Sequence, residues 1–156
     1  MKPVRVHNFG TYFVTAQTWE RRALFRSERL AKLFLETLQH YRSERKYLLH
    51  EFVLMPDHFH ALLTPEGITL ERAMQLIKGG FSHRAGKEIA STLEIWQRGF
   101  TDHRIRDSED YICHREYIRQ NPIQARFCAA PEEYPYSSAG SGIPLDPVPQ
   151  RLKPLI

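Results

Sequence analysis

Apolar positions along this chain switch between a period of two and a period near four, and each switch marks a change of element. Gly10-Thr11-Tyr12-Phe13-Val14-Thr15-Ala16 is rich in aromatic and β-branched residues and predicts a strand. Leu30, Phe34, Leu38 and Tyr41 recur at helical spacing, so a helix is expected from about Glu28 to Arg45, with Ser27 placed to cap it. Tyr47 to Leu54 predicts a second strand, Pro56-Asp57 a turn, and the residues from His58 onward a third strand. Thr69 is placed to cap a second helix whose Ala73, Met74, Ile77 and Phe81 form an apolar stripe. Trp96-Gln97-Arg98-Gly99-Phe100 predicts a fourth strand. A third helix is expected from about Ser108 to Asn121, stopping at Pro122 because proline disfavours helical geometry in the residue before it.

The order β-α-β-β-α-β followed by a helix is the split βαβ pattern of a ferredoxin-like α+β domain, an antiparallel sheet with helices packed on it. The expected division is a domain over 1–126 and a proline-rich, irregular C-terminal tail over 127–156. Six of the ten prolines fall in that tail, which disfavours regular structure there, and Tyr134 and Tyr136 are its expected anchors. Gly79-Gly80 stands out inside the second helix, because each glycine costs roughly 1 kcal/mol relative to alanine there. A kink, a close approach of a ligand backbone, or an early helix end would each account for it.

Composition narrows the class. A chain of 156 residues with 42% hydrophobic and 26% charged content has room for one ordinary core. Lys plus Arg exceeds Asp plus Glu by 22 to 18, a net charge of +4 that suits an anionic partner better than a cationic one. The two cysteines, Cys113 and Cys128, lack metal-knuckle spacing and are expected to be reduced thiols. No apolar run reaches membrane-spanning length and no signal-peptide core opens the chain, so a soluble cytoplasmic protein with no membrane partner is expected.

The most informative stretch is His58-Phe59-His60. On a strand, residues two apart share a face, so two imidazoles project together while Phe59 points away. Neutral imidazole is the commonest metal ligand, and a pair on one rigid strand makes half a coordination site. Tyr117 and Asn121, four apart, would share one face of the third helix and could add a nucleophile and an amide oxygen as a third ligand. Magnesium accepts amide oxygens, and manganese tolerates imidazole as well. Taken singly, Tyr117 also reads as a core aromatic and Asn121 as an ordinary residue before proline. Tyr111 is the rival phenol. Six helical positions turn through about 600°, so Tyr111 and Tyr117 point roughly 120° apart. Tyr111, followed at the same spacing by Arg115, is expected to be a packing residue.

These residues carry a resemblance. The histidine–hydrophobe–histidine strand and the tyrosine helix resemble the HUH single-strand DNA endonucleases with one catalytic tyrosine, and most of all the REP-associated tyrosine transposases. The resemblance spans about residues 8–138. It rests on Met55-Pro56-Asp57-His58-Phe59-His60, on Trp96 to Arg106, on Tyr117-Ile118-Arg119-Gln120-Asn121-Pro122, and on Tyr136-Ser137-Ser138. Related insertion-sequence transposases place glutamine four residues after the tyrosine, whereas this chain has Asn121, as the REP-associated family does.

The resemblance implies that Tyr117 attacks a DNA phosphodiester to give a 5′-phosphotyrosine, with Mg²⁺ or Mn²⁺ on His58, His60 and Asn121. It implies single-stranded DNA with REP-like hairpins as partner, a bacterial, nucleoid-associated protein, and a monomer where the insertion-sequence enzymes are dimers with shared sites. No phosphate-binding Gly-x-x-x-x-Gly-Lys motif is present, so no nucleotide cofactor is expected. Single-strand grooves combine positive charge with aromatic platforms. The candidate DNA contacts are Lys78, Arg84 and Lys87 on the second helix and Arg104, Arg106, Arg115 and Arg119 near the tyrosine helix. Two alternatives stand beside this reading: a non-cleaving DNA-binding protein of the same fold, and a metal-dependent hydrolase using water.

Overall fold

The computed structural model describes residues 10–89 and 94–154. Its elements are β1 (Tyr12–Gln17), α1 (Glu28–Ser43), β2 (Tyr47–Met55), β3 (His58–Pro65), α2 (Leu70–Ala85), β4 (Thr101–Arg104) and α3 (Ser108–Gln124). The strands form one antiparallel sheet in the order β2-β3-β1-β4. Each βαβ unit is therefore split: β3 lies between β1 and β2, and β1 between β3 and β4. This is the ferredoxin-like α+β arrangement that the element order predicts.

The helices start where their caps are. Ser27 accepts the Leu30 N–H at 3.3 Å, Thr69 the Arg72 N–H at 3.0 Å, and Asp107 the Asp110 N–H at 2.9 Å. Alternation along the strands then sorts side chains into two layers. Tyr12, Val14, Ala16, Phe59, Ala61 and Leu63 face α1 and α2, where Phe25, Phe34, Phe81 and Trp96 complete an aromatic core. Each fully buried side chain of this kind contributes about 1.5–3 kcal/mol. On the other face, Val53, Met55 and Leu62 meet Tyr111 and Ile118 of α3, with Ile105, Tyr134 and Leu152.

One irregularity sets the second layer. Pairing of β2 with β3 shifts between Leu49 and Glu51, leaving His50 as a bulged residue. Before the bulge Tyr47 and Leu49 face α1 and α2; after it Phe52 and Leu54 do. The extra residue inverts the alternation and sends Glu51, with Val53 and Met55, towards α3.

Three expected boundaries are corrected. The fourth strand is Thr101–Arg104, paired to β1, and not Trp96–Phe100, where Trp96 makes only an isolated bridge to Thr18. Gly99, at φ 73°, breaks the extended path. The aromatic signal of that stretch comes instead from Trp96 filling the core, where its indole N–H donates to the Lys78 carbonyl at 3.1 Å. α3 passes through Pro122 and ends at Gln124. So near the helix end the proline forfeits one hydrogen bond, and its ring is buried on the face shared with Tyr111 and Ile118, which offsets that loss. α1 ends at Ser43, short of Arg45, which sits at φ 60° in the left-handed position that closes many helices, while the Lys46 N–H reaches back to the Tyr41 carbonyl.

Past α3 the chain has no α-helix or strand among the described residues, only short 3₁₀ turns at Pro131–Glu133 and Gln150–Leu152. It follows the outer edge of β2. The Tyr136 carbonyl accepts the Leu54 N–H at 2.8 Å, the Ser138 N–H donates to the Phe52 carbonyl at 2.9 Å, and the Tyr134 hydroxyl donates to the Leu54 carbonyl at 2.6 Å. Further on, the Asp146 carboxylate accepts the Leu49 N–H and pairs with both arms of Arg42. An edge strand that would otherwise present unpaired backbone groups is covered.

The glycine pair divides. α2 runs unbroken through it, so neither a kink nor an early end explains it. A Cβ at Gly80 would lie 2.7 Å from the Tyr41 hydroxyl oxygen, so this glycine lets α1 and α2 approach; at Gly79 a Cβ would meet nothing within 4 Å. Gly79→Ala is expected to stabilise the protein by up to about 1 kcal/mol through helix propensity alone. Gly80→Ala is expected to destabilise it, and to become neutral or stabilising when combined with Tyr41→Ala. Urea denaturation of the four variants checks this.

Candidate functional site

The site grows from β3. Phe59 is fully buried, its ring 4.8 Å from that of Phe34, so His58 and His60 both turn to the α3 face, with ring centroids 4.8 Å apart. Each imidazole is held at Nδ1. His58 Nδ1 lies 2.6 Å from Asp57 Oδ1, and Asp57 Oδ2 takes the Arg21 Nε–H at 3.0 Å. Burial pushes the Asp57 carboxyl up, but the hydrogen bonds from His58 and Arg21 outweigh it and hold the group below its usual range. Glu20 and Arg21, at φ 54° and 55°, occupy the left-handed region in succession, a strained turn that delivers Arg21 to Asp57.

His60 Nδ1 lies 2.8 Å from the Thr15 hydroxyl, on the strand residue directly opposite it. Its ring stacks on Phe13 at 5.2 Å. Burial, reinforced by the neighbouring His58, pushes the His60 pKa down to about 3, so the ring stays neutral. In both rings Nε2 is the atom left for a cation, and two imidazoles pre-oriented through Nδ1 are a donor set a divalent ion accepts.

α3 supplies the phenol. The Tyr117 ring is 5.3 Å from that of His60 and 5.9 Å from that of Phe13, both edge-on, and the side chain is 52% exposed. Tyr111 is 5% exposed, and burial followed by the nearby Glu51 pushes its pKa up to about 12. The two tyrosines divide as their angular separation predicts. Asn121 lies one turn beyond Tyr117, partly buried, within the same helix.

The helix is docked by charge. Arg119 donates to Glu51 Oε1 at 2.7 Å, and the Ser138 hydroxyl of the tail donates to Glu51 Oε2. Glu51 is 6% exposed. This three-way contact ties α3, the bulged strand and the tail together, and the residue pattern missed it. The signal present was His50-Glu51, a polar pair in the otherwise apolar run of β2. Asp57, Thr15 and Arg21 were missed as well; Asp57 could have been suspected from its place beside His58.

The basic residues scatter. Lys78 and Arg84 belong to α2 and Lys87 follows it, on the layer opposite the histidines. Lys78 donates to the carbonyls of Gln97 and Gly99, and Arg84 bridges to the Thr37 hydroxyl of α1. Arg104 ends β4, its guanidinium beside Gly10. Arg115 is half-buried next to Glu116, and Arg119 is committed to Glu51. Arg106, at the β4–α3 junction, leaves 79% of its side chain exposed.

A second group of titratable side chains lies beyond Phe13. His103 of β4 and Asp110 and His114 of α3 place ligand-type atoms within 4.8 Å of one another. This set is distinct from His58, His60 and Asn121. Among the described residues, no helix is long and apolar enough to cross a membrane.

Comparison with known proteins agrees with this architecture. The family described as "Transposase IS200 like" matches residues 7–121. Among curated proteins, the chain is 28% identical over 131 residues to the REP-associated tyrosine transposase of Escherichia coli K12, covering 83% of this chain and 76% of that one. It is 27% identical to a putative REP-associated tyrosine transposase of Haemophilus influenzae, covering 83% and 79%. Among solved structures, one described as a REP-associated tyrosine transposase bound to a REP hairpin superposes with a TM-score of 0.69 at 25% identity, covering 100% of this chain and 99% of that one. A putative transposase from Deinococcus radiodurans shares the fold at a TM-score of 0.55 and 16% identity, covering 81% and 98%. With that match over most of its length and a tyrosine helix laid across a paired-histidine strand, the chain belongs to the IS200-like transposase family, and its likeness within that family is to the REP-associated tyrosine transposases.

Proposed function

We propose that this protein cleaves and rejoins single-stranded DNA carrying a hairpin, with Tyr117 as nucleophile and a divalent cation, Mg²⁺ or Mn²⁺, on His58, His60 and Asn121. The observation that carries the reading is the exposed Tyr117 ring packed edge-on against the buried, neutral His60. The hairpin partner is argued from the structural relative, which is bound to a REP hairpin. The ring contact between Tyr117 and His60 of the same chain supports a site built within one chain, and so a monomer.

When bound, the cation would polarise the scissile phosphate and offset charge growing on its oxygens. The chain's own groups do the rest. Asp57 and Thr15 fix the imidazoles, while Glu51, itself held by the Ser138 hydroxyl, pairs with Arg119 and so keeps α3 in place. Tyr117 Oη attacks phosphorus in line; the Oη–P bond forms as the P–O3′ bond breaks. The phenol's proton leaves to solvent, and the departing oxygen takes one up as a 3′-hydroxyl. The 5′-phosphotyrosine conserves the bond, so a later 3′-hydroxyl can reverse the step. Tyr117 is exposed above the strand face, and a duplex would keep its scissile phosphate away from that face, so a single strand is the better substrate.

A denaturing gel after incubation of the protein with hairpin DNA, single-stranded flanks and Mn²⁺ tests the chemistry. A covalent adduct is expected with wild type and with Tyr111→Phe, and none with Tyr117→Phe, His58→Ala or His60→Ala. An adduct formed by Tyr117→Phe, or cleavage without any adduct, overturns the assignment.

The two classes of arginine are expected to separate. Arg106→Ala should leave folding stability within about 0.5 kcal/mol and lower the salt slope of DNA binding by about one. Glu51→Gln should instead destabilise by about 1–3 kcal/mol, because it leaves Arg119 without its charge partner. Salt-dependent fluorescence anisotropy on the hairpin, alongside urea melts, separates the two effects.

A further inference from the structure

We propose that His103, Asp110 and His114 form a second divalent-cation site, for a borderline ion of the zinc class, that clips β4 to the start of the tyrosine helix. Three side chains from two elements converge there. The Asp110 carboxylate sits between the imidazoles, with Oδ2 2.8 Å from His103 Nε2 and Oδ1 3.2 Å from His114 Nδ1, a nitrogen that donates to the Asp110 backbone carbonyl at 2.8 Å and so leaves Nε2 of His114 for an ion. The rings lie nearly parallel, 19° apart with centroids at 4.7 Å, so each turns a nitrogen towards the same carboxylate.

The backbone places them deliberately. Asp110 and His114 are one helical turn apart on α3, while His103 is paired across the sheet with Phe13 of β1. The carboxylate is itself held: the Arg106 backbone N–H donates to Oδ2 at 2.9 Å. This is the kind of outer hydrogen bond that orients a metal-binding carboxylate. Burial raises the Asp110 pKa, but that N–H and the two histidines outweigh it and hold the carboxyl below its usual range.

The donor chemistry selects the ion. Two imidazole nitrogens and one carboxylate oxygen suit zinc, cobalt or nickel, whereas magnesium and calcium prefer oxygen alone. At zinc bond lengths of about 2.0–2.2 Å, donors on one tetrahedral ion lie roughly 3.4 Å apart. The two histidine–aspartate separations, 2.8 and 3.2 Å, lie below that, so an ion would part them slightly. The whole set, within 4.8 Å, closes by rotation of His103, whose side chain is 39% exposed. The same contacts tie the histidines to the carboxylate, with the Arg106 guanidinium 3.7 Å from Asp110 as a competing cation. Phe13 separates this cluster from the strand histidines, lying 4.8 Å from His114 and 5.2 Å from His60. An ion there would fix α3 one turn ahead of Tyr117, so its loading would govern how firmly the phenol is presented.

Cobalt(II), an optical substitute for zinc, tests this in the full-length chain stripped with chelator. In the His58→Ala/His60→Ala background, one equivalent of cobalt is expected to bind, with visible absorption bands of low-coordinate cobalt–imidazole and an upward shift in melting temperature. Adding His103→Gln and His114→Gln should abolish the bands and the shift while circular dichroism stays native. A parallel titration of the wild-type chain against His103→Gln/His114→Gln alone, counting equivalents by equilibrium dialysis, covers failure of the first background to fold. No cobalt bound by the His58→Ala/His60→Ala chain, or equal binding after the cluster is removed, overturns the proposal. Either result leaves the adduct test of Tyr117 untouched.

Discussion

Burial of Phe59 decides which way β3 faces, and the site follows from that choice. The ring is fully enclosed against Phe34 and the α1/α2 core, while the residues on either side of it are the two imidazoles. A slip of one residue in strand pairing would exchange the faces, exposing Phe59 and driving both histidines into an aromatic core without partners. The slipped register would forfeit the aromatic burial and add two desolvated polar rings, each effect worth kilocalories. The same alternation on β1 puts Val14 into the core and Thr15 beneath His60, so the partner that orients the imidazole arrives with the packing.

Placement of the tyrosine helix depends on a less hydrophobic device. α3 buries little apolar surface of its own, chiefly Tyr111, Ile118 and Pro122. Its register on the sheet is set by Arg119 meeting Glu51, and Glu51 faces that way only because His50 is bulged out of β2. A carboxylate this buried needs its partners, since leaving it unpaired costs more than the pair gains. The contact therefore specifies geometry more than it adds stability. Ser138 brings the tail into the same contact, and the backbone bonds of Tyr136 and Ser138 to β2 keep it there. A segment without regular structure thus does two things at once, covering an edge strand and completing the brace behind the tyrosine helix.

Much of this was legible in the residue pattern. Local rules carry local facts: a period of two predicts that His58 and His60 share a face, and a turn of about 100° per residue predicts that Tyr111 and Tyr117 part company. Caps at Ser27 and Thr69, the element order and the ferredoxin-like class followed from the same short-range signals. The errors fell where a residue's signal belonged to tertiary packing. Trp96 and Phe100 look like strand residues because they are large and apolar, yet Trp96 fills the core from an irregular segment. Pro122 looks like a stop, yet burial of its ring carries α3 past it.

What only the folded chain decided is which distant groups meet. No periodicity relates Tyr117 to His60, Glu51 to Arg119 and Ser138, or His103 to Asp110 and His114, because each contact crosses between elements whose relative placement is set by burial over the whole sheet. The bulge at His50 is the sharpest case. One unpaired residue inverts the faces of the rest of β2, and nothing in the run Tyr47 to Met55 marks it except a polar pair among apolar neighbours. Spacing along the chain carried most of the elements and, outside the bulged β2, the direction of side chains within them, since those depend on dihedral sterics and local periodicity. The tertiary structure alone decided the partners, since those depend on which arrangement buries the most apolar surface while leaving no charge unpaired.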